Sequence, residues 1–218
     1  NFTAFPLKTG MRVKARVFSE VRYRTACNHT AAHIVNAALR QVFGDNTRQA
    51  GSDVDPVKFR FDYTAAKTPA AEEILKVETI SNAAIAAGYK VFKMERPLAD
   101  AGKFGAVTLL GEKYRDPARF VLINKGGWND AKNRYSLELC GGTHVDDLAQ
   151  LMVIKILKDS AVSRGVRRIE GAAGPAAVEY LTHIVSIAER AAFRLSTAPE
   201  EIDKRVEHLL ENERKLRA

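Results

Sequence analysis

Two histidines, His29 and His33, stand four residues apart, and over a hundred positions later Cys140 and His144 repeat that spacing. The chain holds only five His and two Cys. Placing most of them in two matched pairs is its strongest constraint, because a fold that uses both pairs must close a long stretch of chain around one point. On a helix, side chains at i and i+4 stack on one face about 6 Å apart, which suits a shared metal. Between Cys140 and His144 lie Gly141 and Gly142, so a tight turn fits there better than a helical one. Together the four residues make a His3Cys set that matches the nitrogen and thiolate preferences of zinc. The plainer alternative is a polar helix face for the His pair and a small buried hydrophobe for Cys140. A zinc protease is a poor reading, since a Glu must follow the first His as general base and Thr30 stands there. Cys27 is assigned to packing, with ligation beside His29 as its alternative, and His183 and His208 to the faces of C-terminal helices.

The remaining sequence describes the scaffold that must close this ring. Apolar residues make up 46% and charged residues 28% of 218 positions, as in an ordinary globular protein. That length suggests one large domain plus something smaller. No stretch approaches the roughly 18 uninterrupted apolar residues of a membrane span, so no membrane partner is expected. Two Cys exclude a disulfide scaffold and point to a reducing, cytoplasmic setting.

Basic and apolar residues alternate from Met11 to Val17, which predicts a strand with one wet, basic face. Asn28 is read as the cap of a helix over 31–42. Strands are expected within 49–63 and over 89–94, 120–123, 135–139 and 151–157, with a second helix over 70–87. After Gly174-Pro175 an amphipathic helix is expected over 176–195, with Val178, Leu181, Val185, Ala188 and Ala192 on one face. Pro199 would then open a final helix. The expected fold class is α+β: a mixed or antiparallel sheet with helices around a zinc-binding cleft, a small β segment over 1–25, a main domain over 26–175, and a helical tail over 176–218. Both ends read as cuts inside a longer polypeptide.

Lys and Arg number 34 against 26 Asp and Glu, a formal charge of +8. Residues 1–24 concentrate it in Lys8, Arg12, Lys14, Arg16, Arg22 and Arg24 against Glu20 alone. A polyanion is therefore a plausible partner, with a solvated edge strand as the alternative.

Several motifs recur in a recognisable order. They are Asn28-His29-Thr30-Ala31-Ala32-His33, Leu39-Arg40-Gln41-Val42-Phe43-Gly44, Gln49-Ala50-Gly51-Ser52, Arg60-Phe61-Asp62-Tyr63, Gly111-Glu112-Lys113-Tyr114, Ser136-Leu137-Glu138-Leu139-Cys140-Gly141-Gly142-Thr143-His144, and Gly165-Val166-Arg167-Arg168-Ile169-Glu170. This order resembles the editing domain of alanyl-tRNA synthetase and the free-standing proteins related to it, over roughly residues 11–175. The resemblance implies an α+β domain in which His29, His33, Cys140 and His144 bind zinc. It further implies hydrolysis of the ester in tRNA(Ala) wrongly charged with serine or glycine. The implied partners are the tRNA(Ala) acceptor end and the catalytic and C-terminal domains of the full synthetase, and the fragment itself is not expected to aminoacylate. Two departures stand out. Asp146-Asp147-Leu148-Ala149-Gln150 replaces the usual turn after the last ligand, and the loop over 124–134 is longer than usual and holds the single Trp.

Within that resemblance, a zinc ion with an open position can lower the pKa of water toward about 7. Four protein ligands fill a tetrahedron, however, as in structural sites. An RNA-binding module with a structural zinc therefore remains the alternative, beside a free-standing trans-editing protein. Serine exceeds alanine by a hydroxyl, which a pocket can select by hydrogen bonding it. Thr30, Gln49 and Ser52 are the candidates for that contact. Glycine would have to be admitted by size. Arg167, Arg168, Lys14 and Arg16 are the candidate RNA contacts.

Overall fold

Helix α1 (Ser19–Phe43) is buried almost all round from Ala26 to Leu39 in the computed structural model, which describes residues 8–109 and 111–217. Ala26, Ala31, Ala32 and Ala38 keep the helix thin enough for sheets to approach from two sides, while Ile34, Val35 and Leu39 are fully buried. The first sheet is antiparallel, in the order β1 (Gln49–Val54), β2 (Phe59–Thr64), β7 (Val166–Ala173), β6 (Ile154–Ser163). The second is antiparallel too, in the order β3 (Lys90–Arg96), β4 (Ala118–Asn124), β5 (Arg134–Leu139). Helix α2 (Ala71–Ala86) packs beside α1, and α3 (Asp100–Phe104) follows β3. Helices α4 (Pro175–Leu195) and α5 (Ile202–Arg217) pack on each other at the C-terminal side. The class is α+β, as expected.

Each sheet earns its place through its side-chain alternation. On β2, Phe59, Phe61 and Tyr63 point to the main core while Arg60 and Asp62 point away. On β4, Val121 and Ile123 join the main core, whereas Phe120 and Leu122 join a second cluster with Leu137 and Leu139. A strand covered on both faces reads as a continuous apolar run, which is the pattern of residues 120–123. The 124–134 loop closes on itself: Asn124 Nδ2 donates to the Gly127 carbonyl at 2.9 Å, and Trp128 packs edge-on to Phe120.

Two expectations are corrected. Of the small β segment expected over 1–25, residues 1–7 lie outside the described residues, residues 8–18 form no strand, and a helix starts at Ser19. An alternating pattern becomes a strand only beside a partner, and every side chain from Lys8 to Phe18 is exposed. Asn28 does not cap a helix; it lies inside α1 with 0% exposure. Its Nδ2 donates to the Asp55 carbonyl at 2.9 Å and its Oδ1 accepts from the Ala173 amide at 2.8 Å, so the side chain ties α1 to two strand ends. The helix expected over 176–195 is present as α4, and its apolar face is largely open: Val178 is 41% and Val185 55% exposed, while Ala192 is buried.

Strand β7 escaped the sequence reading because its two arginines break any apolar pattern. Both are neutralised across the sheet. Arg168 pairs with Asp62, its direct neighbour on β2, at 2.7 and 2.8 Å. Arg167 pairs with Asp159 of β6, which also accepts from the Tyr63 hydroxyl at 3.0 Å.

Candidate metal centre

Helix α1 presents His29 and His33 on one face, with ring centroids 5.3 Å apart. The chain leaving β5 carries Cys140 and His144 onto that face, and His144 lies 4.4 Å from His29 and 4.9 Å from His33 between ring centroids. One donor atom from each of the four lies within 4.8 Å of all the others. Cys140 Sγ is 3.4 Å from both His29 Nε2 and His144 Nε2. Tetrahedral zinc bonds of 2.0–2.3 Å require donors roughly 3.4–3.8 Å apart, so these residues fit the ion.

The approach is set by a glycine. A Cβ on Gly142 would stand 1.8 Å from His29 Cε1, so only a bare backbone passes there. The loop through Gly141 and Gly142 is irregular, in agreement with the turn read from the sequence.

A second layer holds the ligands. His33 Nδ1 donates to Glu138 Oε2 at 2.8 Å, leaving its other nitrogen to face the quartet. Glu138 is 5% exposed, and its Oε1 accepts from Ser136 Oγ at 2.9 Å and Asn36 Nδ2 at 3.2 Å. His144 Nδ1 lies 3.3 Å from Thr30 Oγ1, which also accepts from the Val145 amide. Lys93 Nζ donates to the His144 carbonyl at 3.2 Å. Ligand histidines held through their second nitrogen by a carboxylate or hydroxyl are the usual arrangement of a metal site.

The electrostatics of Cys140 and His144 agree. Burial opposes ionising the Cys140 thiol, but hydrogen bonds from His144, His29 and His33 outweigh it and bring the group down to about 3. Burial, with His33 and His29 nearby, brings His144 down to about 4 against the pull of Cys140. Cys140 is then a thiolate and His144 a neutral imidazole at pH 7, the forms that bind metal. His33 differs: burial disfavours its charge, yet Glu138 and Cys140 outweigh it and push the imidazole up to about 10, so this ligand must release a proton to bind a metal.

Beside the quartet lies a chamber of about 70 Å³, lined among others by His29, His33, Cys140, Gln49, Ser52 and Phe61. Gln49 and Ser52 both line it, joined by Gln49 Nε2 donating to Ser52 Oγ at 2.9 Å. Thr30 does not line it; it is fully buried behind His144 and braces that ligand. Cys27 is buried away from the quartet, with its thiol toward the Gln150 carbonyl. Lys14 and Arg16 are exposed on the irregular segment before α1. Glu138 was not singled out from sequence. The signal was there: Ser136 and Glu138 alternate along β5 and Cys140 follows it in the same phase, which puts the acid on the ligand's side.

A family model described as the threonyl and alanyl tRNA synthetase second additional domain matches residues 119–170, the stretch that carries Cys140 and His144. The alanine–tRNA ligase of Elusimicrobium minutum is 45% identical over 206 residues, which is 94% of this chain and 24% of that protein. The chain belongs to the alanyl-tRNA synthetase editing-domain family. Further members are the ligases of Mesorhizobium japonicum, 39% identical over 96% of this chain and 24% of theirs, and of Acetivibrio thermocellus, 41% identical over 94% and 22%. The chain thus spans about a quarter of the length of the curated relatives it matches. Among the described residues, no helix is long and apolar enough to cross a membrane.

Proposed function

We propose that this domain hydrolyses the aminoacyl ester of tRNA(Ala) mischarged with serine or glycine, as the proofreading part of an alanyl-tRNA synthetase working in the cytoplasm beside that enzyme's catalytic and C-terminal domains. The observation that carries the reading is the chamber beside the His3Cys quartet, walled by ligands on one side and by Gln49 and Ser52 on the other. His29, His33, Cys140 and His144 would hold zinc. When bound, the ion supplies an acidified water or polarises the ester carbonyl.

The chain's own residues then select and orient. At about 70 Å³ the chamber admits a small side chain and excludes bulky ones, with Ala32, Phe61 and Val107 as apolar walls. Gln49 and Ser52 offer the hydrogen bonds a serine hydroxyl would take up; alanine would break into that pair without replacing it. Glycine enters by size. Glu138 and Thr30 hold His33 and His144 in orientation. Lys14 and Arg16 provide exposed charge for the approach of RNA. We leave Arg167 and Arg168 to the sheet, since Asp159 and Asp62 already match them.

Deacylation of serine-charged against alanine-charged tRNA(Ala), with and without chelator, tests this directly. The expected result is chelator-sensitive release of serine and little release of alanine. Four protein ligands around one point favour a second reading, an RNA-binding module with a structural ion. That reading requires chelation to unfold the domain, and an unfolded product without any prior serine release would decide for it.

A further inference from the structure

We infer that the hydroxyl of Thr108 receives the α-amino group of the acyl moiety, the polar group that serine and glycine share beside the ester itself. The inference rests on the proposed ester substrate and adds a selectivity residue to it. Gln49 and Ser52 account for a hydroxyl, which glycine lacks, and size alone would admit any two-carbon acyl group. An amine or ammonium drawn out of water into a chamber of about 70 Å³ needs an acceptor there, or its desolvation goes uncompensated.

The other polar side chains around the chamber are already engaged. Gln49 and Ser52 bond each other, and His29, His33 and Cys140 belong to the quartet. Glu138 accepts from His33 on one oxygen and from Ser136 and Asn36 on the other. Thr108 is the remaining polar side chain of the lining. It is exposed and has no hydrogen-bond or ion-pair partner among the described residues. A threonine hydroxyl offers two acceptor positions, so it can take an N–H without losing a bond of its own. Its neighbours, by contrast, are pinned on both sides. The Val107 amide donates to the Leu137 carbonyl at 2.8 Å, and the Val107 carbonyl accepts from the Leu139 amide at 3.1 Å. The Leu109 amide donates to the Tyr114 hydroxyl at 2.9 Å. Val107 lies opposite Glu138 in a parallel bridge, so the strand that leads into Cys140 also fixes where Thr108 stands. A residue outside regular structure, held at both ends while its own side chain stays unpaired, is preorganised for a guest and does nothing for the fold.

The test reads binding, so that it does not depend on hydrolysis. Two stable analogues are titrated into the zinc-loaded domain by isothermal titration calorimetry. One is adenosine carrying a glycyl group through a 3′-amide; the other carries an acetyl group there and so lacks only the amine. The glycyl analogue should bind at least about tenfold more tightly. Thr108→Val should erase most of that preference while binding the acetyl analogue as before, and Thr108→Ser should restore it. Zinc content should be the same in all three proteins. In deacylation assays Thr108→Val should slow serine and glycine release by the same factor. A wild-type domain with no preference for the glycyl analogue overturns the inference. So does a Thr108→Val variant that keeps the preference, weakens both analogues equally, or loses serine release alone. If the preference is present but serine-charged tRNA(Ala) is not deacylated, the hydrolase reading falls and the amine contact stands. Deacylation without the preference sinks the contact alone.

Discussion

Glu138 and His33 form a buried pair in which the imidazole Nδ1 donates to the carboxylate at 2.8 Å, with 7% and 10% side-chain exposure respectively. The carboxylate also accepts from Ser136 and Asn36, so three donors fix it and it fixes one ligand. Replacing Glu138 by Gln keeps the volume but allows the other face of the amide to present donors to His33. The expected effect is a 10–100-fold loss of zinc affinity in chelator competition, with little change in far-UV circular dichroism. Glu138→Ala should go further and lower folding stability by about 3–5 kcal/mol, since it strands His33 and its neighbours in a buried site. Wild-type zinc affinity in E138Q would show that the pair is packing alone.

Gly141 and Gly142 are adjacent in sequence and opposite in tolerance. A Cβ on Gly142 would meet His29 at 1.8 Å, while one on Gly141 meets nothing within 4 Å. Gly142→Ala should therefore displace the His29 ring and cut zinc stoichiometry measured by atomic absorption. Gly141→Ala should retain full stoichiometry. Equal metal content in both variants would mean that the loop yields easily and does not set the quartet's geometry.

The quartet was legible because its spacing is stated in the chain itself: i and i+4 on a helix, and a Gly-Gly turn within the second pair. The strands carrying Phe59-Arg60-Phe61-Asp62-Tyr63 and Phe120 to Ile123 were legible for a similar reason, since burial on one face or two leaves a period of two or none. What stayed hidden depends on partners distant in sequence. Arg167 and Arg168 read as surface charge until Asp159 and Asp62 are placed opposite them. Met11 to Val17 has the period of a strand but no strand beside it. Helix α3 is five residues long, too short for any helical period to show. Thr30 looked like a pocket residue by its place between two ligands, yet a helix turns each successive residue by about 100°, and that rotation carries it behind His144.

Asn28 makes a stability prediction that a capping role would not. Its side chain pairs the Asp55 carbonyl and the Ala173 amide from the middle of α1. Asn28→Ala leaves both backbone groups without a partner next to the main core. At about 1–3 kcal/mol for each stranded group, the loss should be about 2–6 kcal/mol in urea unfolding. Asn28→Asp should restore the acceptor and not the donor, giving an intermediate value. A loss under about 1 kcal/mol in Asn28→Ala would fit a helix-end effect and count against the bridge.

Tyr63 and Tyr135 both oppose folding at alkaline pH. Burial, with Asp159 beside it, raises the Tyr63 phenol well above its ordinary value of 10.0, and burial with Tyr89 nearby does the same for Tyr135. Above pH 10 the unfolded chain releases both protons while the folded chain keeps them. The native state then binds more protons than the unfolded one, so stability must fall as pH rises. The slope is about 1.4 kcal/mol per pH unit for each tyrosine, from the unfolded value upward. Below pH 10 the two groups contribute no slope. Tyr63→Phe loses the 3.0 Å bond to Asp159 and should cost about 1 kcal/mol at pH 8. Between pH 10 and 11 its stability should decline less steeply than that of the wild type, because one of the two protons is no longer at issue. Urea midpoints across pH 8–11 for both proteins read this directly, and parallel curves above pH 10 would mean that Tyr63 ionises in place without opening the sheet.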